Sequence, residues 1–160
     1  MPKIINDFRG EYRWLSNFHI EAIYIRDVCF ISTEHIYQAY KAESFADFER
    51  IRTSPSCRGA KTIGGKIKLR DGWDDLKLEV MYYALILKFH QSKELRQKLL
   101  DTGDAILIEG NTWGDRYWGV CNGVGENMLG GLLEEVRDIA SIEKRLDNEA
   151  AIALEFFNRI

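Results

Sequence analysis

Residues 73–91 follow a helical pattern in which apolar side chains cover much more than one narrow face. Asp74 is a candidate N-cap, and the spacing of Trp73 and Leu78 around it is that of a hydrophobic staple. The pattern continues to His90 or Gln91. Its apolar positions are Leu76, Leu78, Val80, Met81, Tyr83, Ala84, Leu85 and Leu87. We therefore expect a largely buried central helix.

Short strands and helices are predicted on either side of this helix. Residues 19–32 are rich in Ile, Val, Tyr and Phe around Arg26 and Asp27, which predicts a hairpin. Residues 33–45 follow a capping Ser32 or Thr33 and predict a helix. Residues 53–71, with Pro55 and several glycines, predict a mostly irregular, exposed connection. Helical spacing returns at 94–100, 129–139 and 146–157, and a short strand is predicted at 105–108.

Length and charge restrict the class of protein. A chain of 160 residues fits one domain, and its net charge of -3 argues against a general nucleic-acid binder. The cysteines, Cys29, Cys57 and Cys121, are far apart and suggest neither a zinc site nor disulfides. The first ten residues have no signal-peptide or membrane-span pattern. We expect a cytoplasmic protein with reduced thiols and no membrane partner.

Residues 110–131 contain seven of the thirteen glycines together with Trp113 and Trp118. Glycine permits tight turns and a close approach of the backbone to a ligand. This loop is therefore the most informative candidate for a binding site.

Six strings occur in the order in which they occur in NADAR (YbiA-like) proteins. They are GEYRWLSNF at 10–18, TEHIYQAYK at 33–41, MYYALILKF at 81–89, LIEGN at 107–111, DRYWG at 115–119 and ENMLGGLLEEVR at 126–137. The chain resembles this family over roughly residues 8 to 138. The resemblance implies an α+β, predominantly helical single domain over 1–160 with a small sheet or hairpin. Residues 141–160 would then be a C-terminal helical extension.

The resemblance also implies an N-glycosidase that needs no metal or redox cofactor. Its substrate would be either a phosphorylated ribosylamine of the riboflavin-biosynthesis type or ADP-ribose linked to guanine. In both, a ribose carbon is joined to an amine nitrogen. The acidic net charge favours the small-molecule ribose phosphate over ADP-ribosylated nucleic acid.

Glu34, Lys41 and Asp115 are the predicted catalytic residues. Glu34 opens a helix, where the dipole favours an ionised carboxylate that can stabilise charge on the ribose or activate water. Lys41 lies two turns further along, where it can bind phosphate as a cation or attack the opened sugar as an amine. We favour the cation because Glu34 on the same face would keep the amine protonated. Without the resemblance, the simpler explanation for Glu34 is favourable electrostatics at a helix end, and the simpler explanation for Lys41 is an exposed lysine on a helix surface.

The predicted substrate-binding residues lie around these groups. Trp118 can stack on a base, or it can simply be a core tryptophan. Backbone amides near Asn127 can bind a phosphate, or Asn127 can simply be the N-cap of a helix. Lys66, Lys68 and Arg70 alternate in sequence and are a weaker phosphate-binding candidate. The complete set is Asn17, Trp73, Glu109, Trp118, Gly119, Asn127 and Gly130, with no metal ligands.

Two other classes of protein fit the same residues. A binding module could hold NAD or ADP-ribose without turnover through the tryptophan and the glycine-rich loop. An interaction domain could bind a protein partner through the segment after Arg137, although Leu146, Phe156 and Phe157 could equally cover the core. The sequence leaves the oligomeric state open.

Overall fold

The computed structural model describes residues 1–160 and has an α+β fold in which helices predominate, as the sequence predicts. The helices are the 3-10 helix Gly10–Leu15, α1 (Thr33–Tyr40), α2 (Phe45–Arg52), α3 (Cys57–Gly64), α4 (Trp73–Gln91), α5 (Lys93–Asp101), α6 (Met128–Ala140) and α7 (Glu143–Arg159). The strands are β1 (Ile4–Ile5), β2 (Ile23–Ile25), β3 (Val28–Phe30), β4 (Ile106–Leu107), β5 (Gly110–Asn111) and β6 (Val120–Cys121).

Helix α4 is the centre of the fold, and it contacts α1, α5, α6 and α7. Its second half is buried on nearly every side, from Val80 to Phe89. Even Lys88 is only 1% exposed, and its ammonium donates hydrogen bonds to the carbonyls of Trp14 (2.7 Å) and Ser16 (3.2 Å). Lys88 thereby fixes the end of the 3-10 helix against α4.

The strands form three separate pairs rather than one sheet. Strands β2 and β3 make the predicted antiparallel hairpin, with Arg26 in the left-handed conformation at its turn. Strand β1 pairs in parallel with β4, and β5 pairs in parallel with β6. These two parallel pairs bring the N-terminal segment and the glycine-rich loop to the same side of α4.

Helix α7 packs along α4 and alongside α6. Its buried side chains are Leu146, Ala150, Ala153, Phe156 and Phe157, and they belong to the main apolar core. Residues 143–159 therefore cover the central helix, and these side chains are not free to bind a protein partner. None of the helices combines the length and apolarity needed to cross a membrane.

The predicted boundaries were wrong in three places: two capping serines were missed, and Asp74 was wrongly taken as an N-cap. Helix α1 ends at Tyr40 rather than near Phe45, since Ser44 caps a separate helix, α2, by accepting from the Asp47 amide. The supposedly irregular connection contains α3, which Ser56 caps in the same manner. The N-cap of α4 is Gly72 in the left-handed conformation, so Asp74 lies in the first turn instead.

Candidate functional site

One cavity has a volume of about 920 Å³, within the range of small-molecule sites. It lies between the start of α1, helix α3, the end of the 3-10 helix and the glycine-rich loop. Its titratable lining residues are Asp7, Arg9, Arg13, Glu34, Tyr37, Arg58, Lys61, Glu109 and Asp115. Five predicted site residues line it: Asn17, Glu34, Glu109, Asp115 and Trp118.

Glu34 is held at the cavity wall by the way α1 begins. Ser32 caps the helix by accepting from the His35 amide at 3.0 Å, and the carbonyl of Asn17 accepts from the Glu34 amide at 3.2 Å. The side chain of Asn17 is fixed in turn, because its Oδ1 accepts from the Thr33 hydroxyl at 2.8 Å. One turn along α1, Gln38 Nε2 donates to Glu34 Oε1 at 2.7 Å. The helix start thus fixes the backbone of Glu34, and Gln38 orients its carboxylate.

Burial raises the pKa of the Glu34 carboxyl, which corrects our expectation that the helix dipole would favour its ionised form. The side chain is only 7% exposed, so the loss of water outweighs the dipole. The hydrogen bond from Gln38 and the charges of Lys61 and Lys41 act in the opposite direction and lower this pKa. These neighbours therefore favour the ionised carboxylate, although burial has the larger effect on its pKa.

Glu109 is the second carboxyl group of the cavity, and it follows strand β4. Its amide donates to Asn127 Oδ1 at 3.0 Å, and its carbonyl accepts from the Val120 amide at 2.8 Å. Its side-chain carboxyl makes no hydrogen bond and faces the cavity. Burial, together with the negative charges of Asp115 and Glu34, raises its pKa to about 7.

Asp115 lines the cavity and also orders the glycine-rich loop. Its Oδ1 accepts from the amides of Tyr117 (3.1 Å) and Trp118 (2.9 Å). Asn111 holds the Asp115 backbone through hydrogen bonds to its carbonyl (2.8 Å) and its amide (3.1 Å). One carboxylate oxygen of Asp115 therefore stabilises the turn, while Oδ2 makes no hydrogen bond.

Lys41 is the C-cap residue of α1 and does not line the cavity. Its ammonium lies 5.8 Å from the centre of the Tyr37 ring. Burial lowers the pKa of Lys41, and the nearby Glu34 carboxylate offsets this only in part. Glu34 thus favours the protonated amine, as expected, but burial acts in the opposite direction and has the larger effect on the pKa.

Aromatic side chains form the wall beside the carboxyl groups. Trp118 packs edge-on against Tyr37, with ring centres 5.4 Å apart. Trp73 lies behind Tyr37, with centres 5.2 Å apart, and is buried outside the cavity lining. Trp113 lines the cavity and is 61% exposed. Of the predicted tryptophans, Trp118 can contact a ligand directly, whereas Trp73 can only support Tyr37.

Three other predicted binding residues, Gly119, Asn127 and Gly130, do not line the cavity, and each has a packing role. A Cβ at Gly119 would overlap the Glu109 carbonyl, and one at Gly130 would overlap the Leu107 carbonyl. Asn127 Nδ2 donates to that same Leu107 carbonyl at 2.8 Å. The backbone amides of residues 127, 128 and 129 donate to carbonyls of the glycine-rich loop, so they are not placed to bind a phosphate.

The cations of the cavity were not predicted as site residues. The alternating series Lys66, Lys68 and Arg70 lies elsewhere: Lys68 pairs with Glu43 at 3.0 Å, and Arg70 donates to the Ile160 carbonyl at 2.8 Å. Arg13, Arg58 and Lys61 line the cavity instead. Arg58 and Lys61 are three residues apart after the capping Ser56, and recognising that cap would have placed them on one face of a helix.

A cavity of ligand size that is lined by carboxyl groups and an aromatic wall is a candidate acid–base site of an enzyme. The NADAR domain model matches residues 6–140. The chain belongs to the NADAR domain family, as the motifs predicted.

Named relatives agree with this assignment. "N-glycosidase YbiA" of Escherichia coli (strain K12) is 39% identical over 137 residues, which are 84% of this chain and 85% of that protein. "N-glycosidase Npun_R5314" of Nostoc punctiforme is 34% identical over 141 residues, 82% and 90% of the two chains. The NMR structure of E. coli YbiA superposes with a TM-score of 0.81 at 37% identity, covering 90% of this chain and 89% of that one. These relatives place the chain among the N-glycosidases.

A longer protein shares the same domain. "Riboflavin biosynthesis protein VVA0006" of Vibrio vulnificus is 33% identical over 128 residues, which are 78% of this chain but 35% of that protein.

Proposed function

We propose that this enzyme hydrolyses the N-glycosidic bond of a phosphorylated ribosylamine of the kind found in riboflavin biosynthesis. The observation that carries the proposal is that two carboxyl groups face one cavity from different elements: Glu34, which is buried, and Glu109, which is half-buried. Two carboxyl groups that flank the scissile bond are the usual arrangement for hydrolysis at an anomeric carbon.

Glu34 acts as the ionised partner. As the bond from the ribose to nitrogen breaks, positive charge develops on the sugar ring, and a nearby carboxylate stabilises it or removes a proton from the attacking water. The Gln38 hydrogen bond at 2.7 Å and the charges of Lys61 and Lys41 favour the ionised carboxylate and act against the effect of burial on its pKa.

Glu109 acts as the protonated partner. A pKa of about 7 leaves much of this carboxyl protonated at neutral pH, and its oxygens make no other hydrogen bond. It can therefore donate a proton to the leaving nitrogen, so that the amine departs neutral while water supplies the hydroxyl group on the sugar. The strand end and Asn127 hold its backbone in place.

The glycine-rich loop binds the two ends of the reacting bond. Trp118 provides a flat surface for the pyrimidine, and the free Oδ2 of Asp115 can accept from a ribose hydroxyl. Asn17 lines the cavity beside Glu34. These contacts place the anomeric carbon near the carboxyl groups.

Lys41 has two candidate roles. As a cation it favours the ionised Glu34, and as a neutral amine it could attack the anomeric carbon of the opened ribosylamine to form an imine. The lowered pKa of Lys41 increases the neutral fraction, whereas its position outside the cavity lining favours the indirect role. We therefore treat the two roles as alternatives for a trapping experiment.

The choice of substrate rests on names and charge. The Vibrio vulnificus relative and the chloroplastic Arabidopsis thaliana protein PYRR, 38% identical over 96 residues, are both named riboflavin biosynthesis proteins. The net charge of -3 disfavours long nucleic acids.

The test is to incubate the full chain with a ribosylaminopyrimidine phosphate, with ADP-ribosylated guanosine and with NAD, and to follow released base and sugar by mass spectrometry. We expect ribose phosphate and free amine from the first compound. If only ADP-ribosylated guanosine releases base and sugar, the proposed substrate is wrong and ADP-ribosylated guanine takes its place. If a compound binds tightly but nothing is released, the chain is a binding module and not an enzyme.

A further inference from the structure

Three cationic side chains of the cavity have no anionic partner in the protein. Arg13, Arg58 and Lys61 all line the cavity, and none of them takes part in an ion pair. The only cavity-lining cation with a carboxylate partner is Arg9, which contacts Asp7 at 2.7 Å. In a chain with an excess of acidic residues, unpaired cations collected around one cavity call for an explanation.

These cations come from two neighbouring elements, since the Cys57 thiol at the start of α3 donates to the Phe18 carbonyl just after the 3-10 helix, at 3.4 Å. Helix α3 presents Arg58, Lys61 and Thr62 at helical spacing, so they share one face. The end of the 3-10 helix supplies Arg13, whose guanidinium makes only a long hydrogen bond, 3.4 Å, to the Phe18 carbonyl. Most guanidinium hydrogens of Arg13 and all those of Arg58 therefore remain free for a ligand.

Lys61 connects this cationic region with the reacting region. Lys61 lines the same cavity as Glu34 and Glu109, and its charge lowers the pKa of both carboxyl groups. Its ammonium is 5.8 Å from the centre of the Phe18 ring, near the end of the 3-10 helix. A ligand that contacts Arg13 and Arg58 with one end can therefore reach the carboxyl groups with the other.

We propose that Arg13, Arg58 and Lys61 form a phosphate subsite that binds the terminal phosphate monoester of the ribosyl substrate. This inference rests on the proposed function and specifies its substrate class. A guanidinium group binds two phosphate oxygens at once, and several cations match the charge of about -2 that a monoester carries at neutral pH. The phosphate then fixes the sugar so that its anomeric carbon faces Glu34 and Glu109.

The test measures binding separately from turnover. Calorimetric titration of the full chain with ribose 5-phosphate and with ribose, in phosphate-free buffer, reports the subsite directly. We expect ribose 5-phosphate to bind roughly tenfold or more tightly than ribose, and Arg58→Ala and Arg13→Ala each to remove most of that difference. Arg58→Lys should recover part of it. Inorganic phosphate should compete, and added salt should weaken binding.

Arg9→Ala is the matched control, because Arg9 lines the same cavity but is paired with Asp7. It should change the affinity less than about threefold. Equal affinities for ribose and ribose 5-phosphate, or an Arg9→Ala loss as large as that of Arg58→Ala, would overturn the subsite.

The outcomes for function are distinct. If ribose 5-phosphate binding depends on Arg58 but no riboside is hydrolysed, the subsite stands and the proposed function fails. If phosphorylated and unphosphorylated ribosides are hydrolysed with equal kcat/KM, the proposed chemistry stands and the subsite fails. If both are correct, Arg58→Ala raises KM for the phosphorylated substrate by about tenfold and changes kcat much less.

Discussion

Gly64→Ala should damage the active site although Gly64 is the last residue of α3 and does not line the cavity. A Cβ at this position would overlap Gln38 Oε1 and lie 2.9 Å from Lys41 Cε. Gln38 is only 4% exposed, and its Oε1 has no hydrogen-bond partner. The added methyl group would therefore push Gln38 away from the Glu34 carboxylate.

The size of the effect follows from the hydrogen bond that is lost. Gln38 Nε2 donates to Glu34 Oε1 at 2.7 Å, and a hydrogen bond to a charged group contributes about 1.5 to 3 kcal/mol. If that bond stabilises the ionised Glu34 in the transition state, the rate should fall roughly 10- to 100-fold. The pKa of Glu34, already raised by burial, should rise further, which moves the acidic limb of the pH–rate profile to higher pH.

Gly65→Ala is the matched control. A Cβ there would meet only the carbonyls of Lys61 and Thr62 at 3.6 Å, and the φ of -76° suits alanine. The assay is release of amine from the phosphorylated riboside, measured for both variants together with their melting temperatures. When Gln38 is already replaced by alanine, Gly64→Ala should lower the rate further by less than about threefold, because the side chain that it would displace is absent. If Gly64→Ala and Gly65→Ala have equal kcat and equal pH profiles, the role assigned to Gln38 is wrong.

Three further variants test the other assigned roles. If Glu109 is the proton donor it must be protonated, so kcat/KM should fall as pH rises through about 7. Glu109→Gln should abolish this basic limb of the pH–rate profile and lower the rate roughly 100-fold. A basic limb that is unchanged in Glu109→Gln would exclude Glu109 as the donor. Trp118→Ala should weaken ligand binding by about 1 to 3 kcal/mol, whereas equal calorimetric curves would exclude stacking there. For Lys41, borohydride during turnover should leave a sugar-sized mass on its peptide if an imine forms. Without an adduct, and with measurable activity in Lys41→Arg, the cationic role is supported.

The sequence was most informative where side-chain pattern and local structure coincide. The apolar surface of residues 73–91 predicted the central helix, and the capping serine before Glu34 predicted the start of α1. In the site, Glu34, Asp115 and Trp118 were identified as candidates and do line one cavity.

The remaining site residues depend on tertiary packing. Gly130 and Asn127 looked like a phosphate-binding helix start, but they close against the Leu107 carbonyl, which is distant in sequence. The state of Glu34 was predicted from the helix dipole alone, whereas burial has the larger effect on its pKa. Arg13 and Arg58 come from separate elements, and only the folded chain brings them to the same cavity.

The central claim is that Glu34 is the charged group that makes hydrolysis possible. The most direct measurement is a single-turnover time course of ribose phosphate release from the ribosylaminopyrimidine phosphate, for the parent chain and for Glu34→Gln. We expect Glu34→Gln to keep the parent's melting temperature within a few degrees and its affinity for ribose 5-phosphate within about threefold, while release slows roughly 100-fold or more. Release at the parent rate by a folded Glu34→Gln protein would contradict the mechanism.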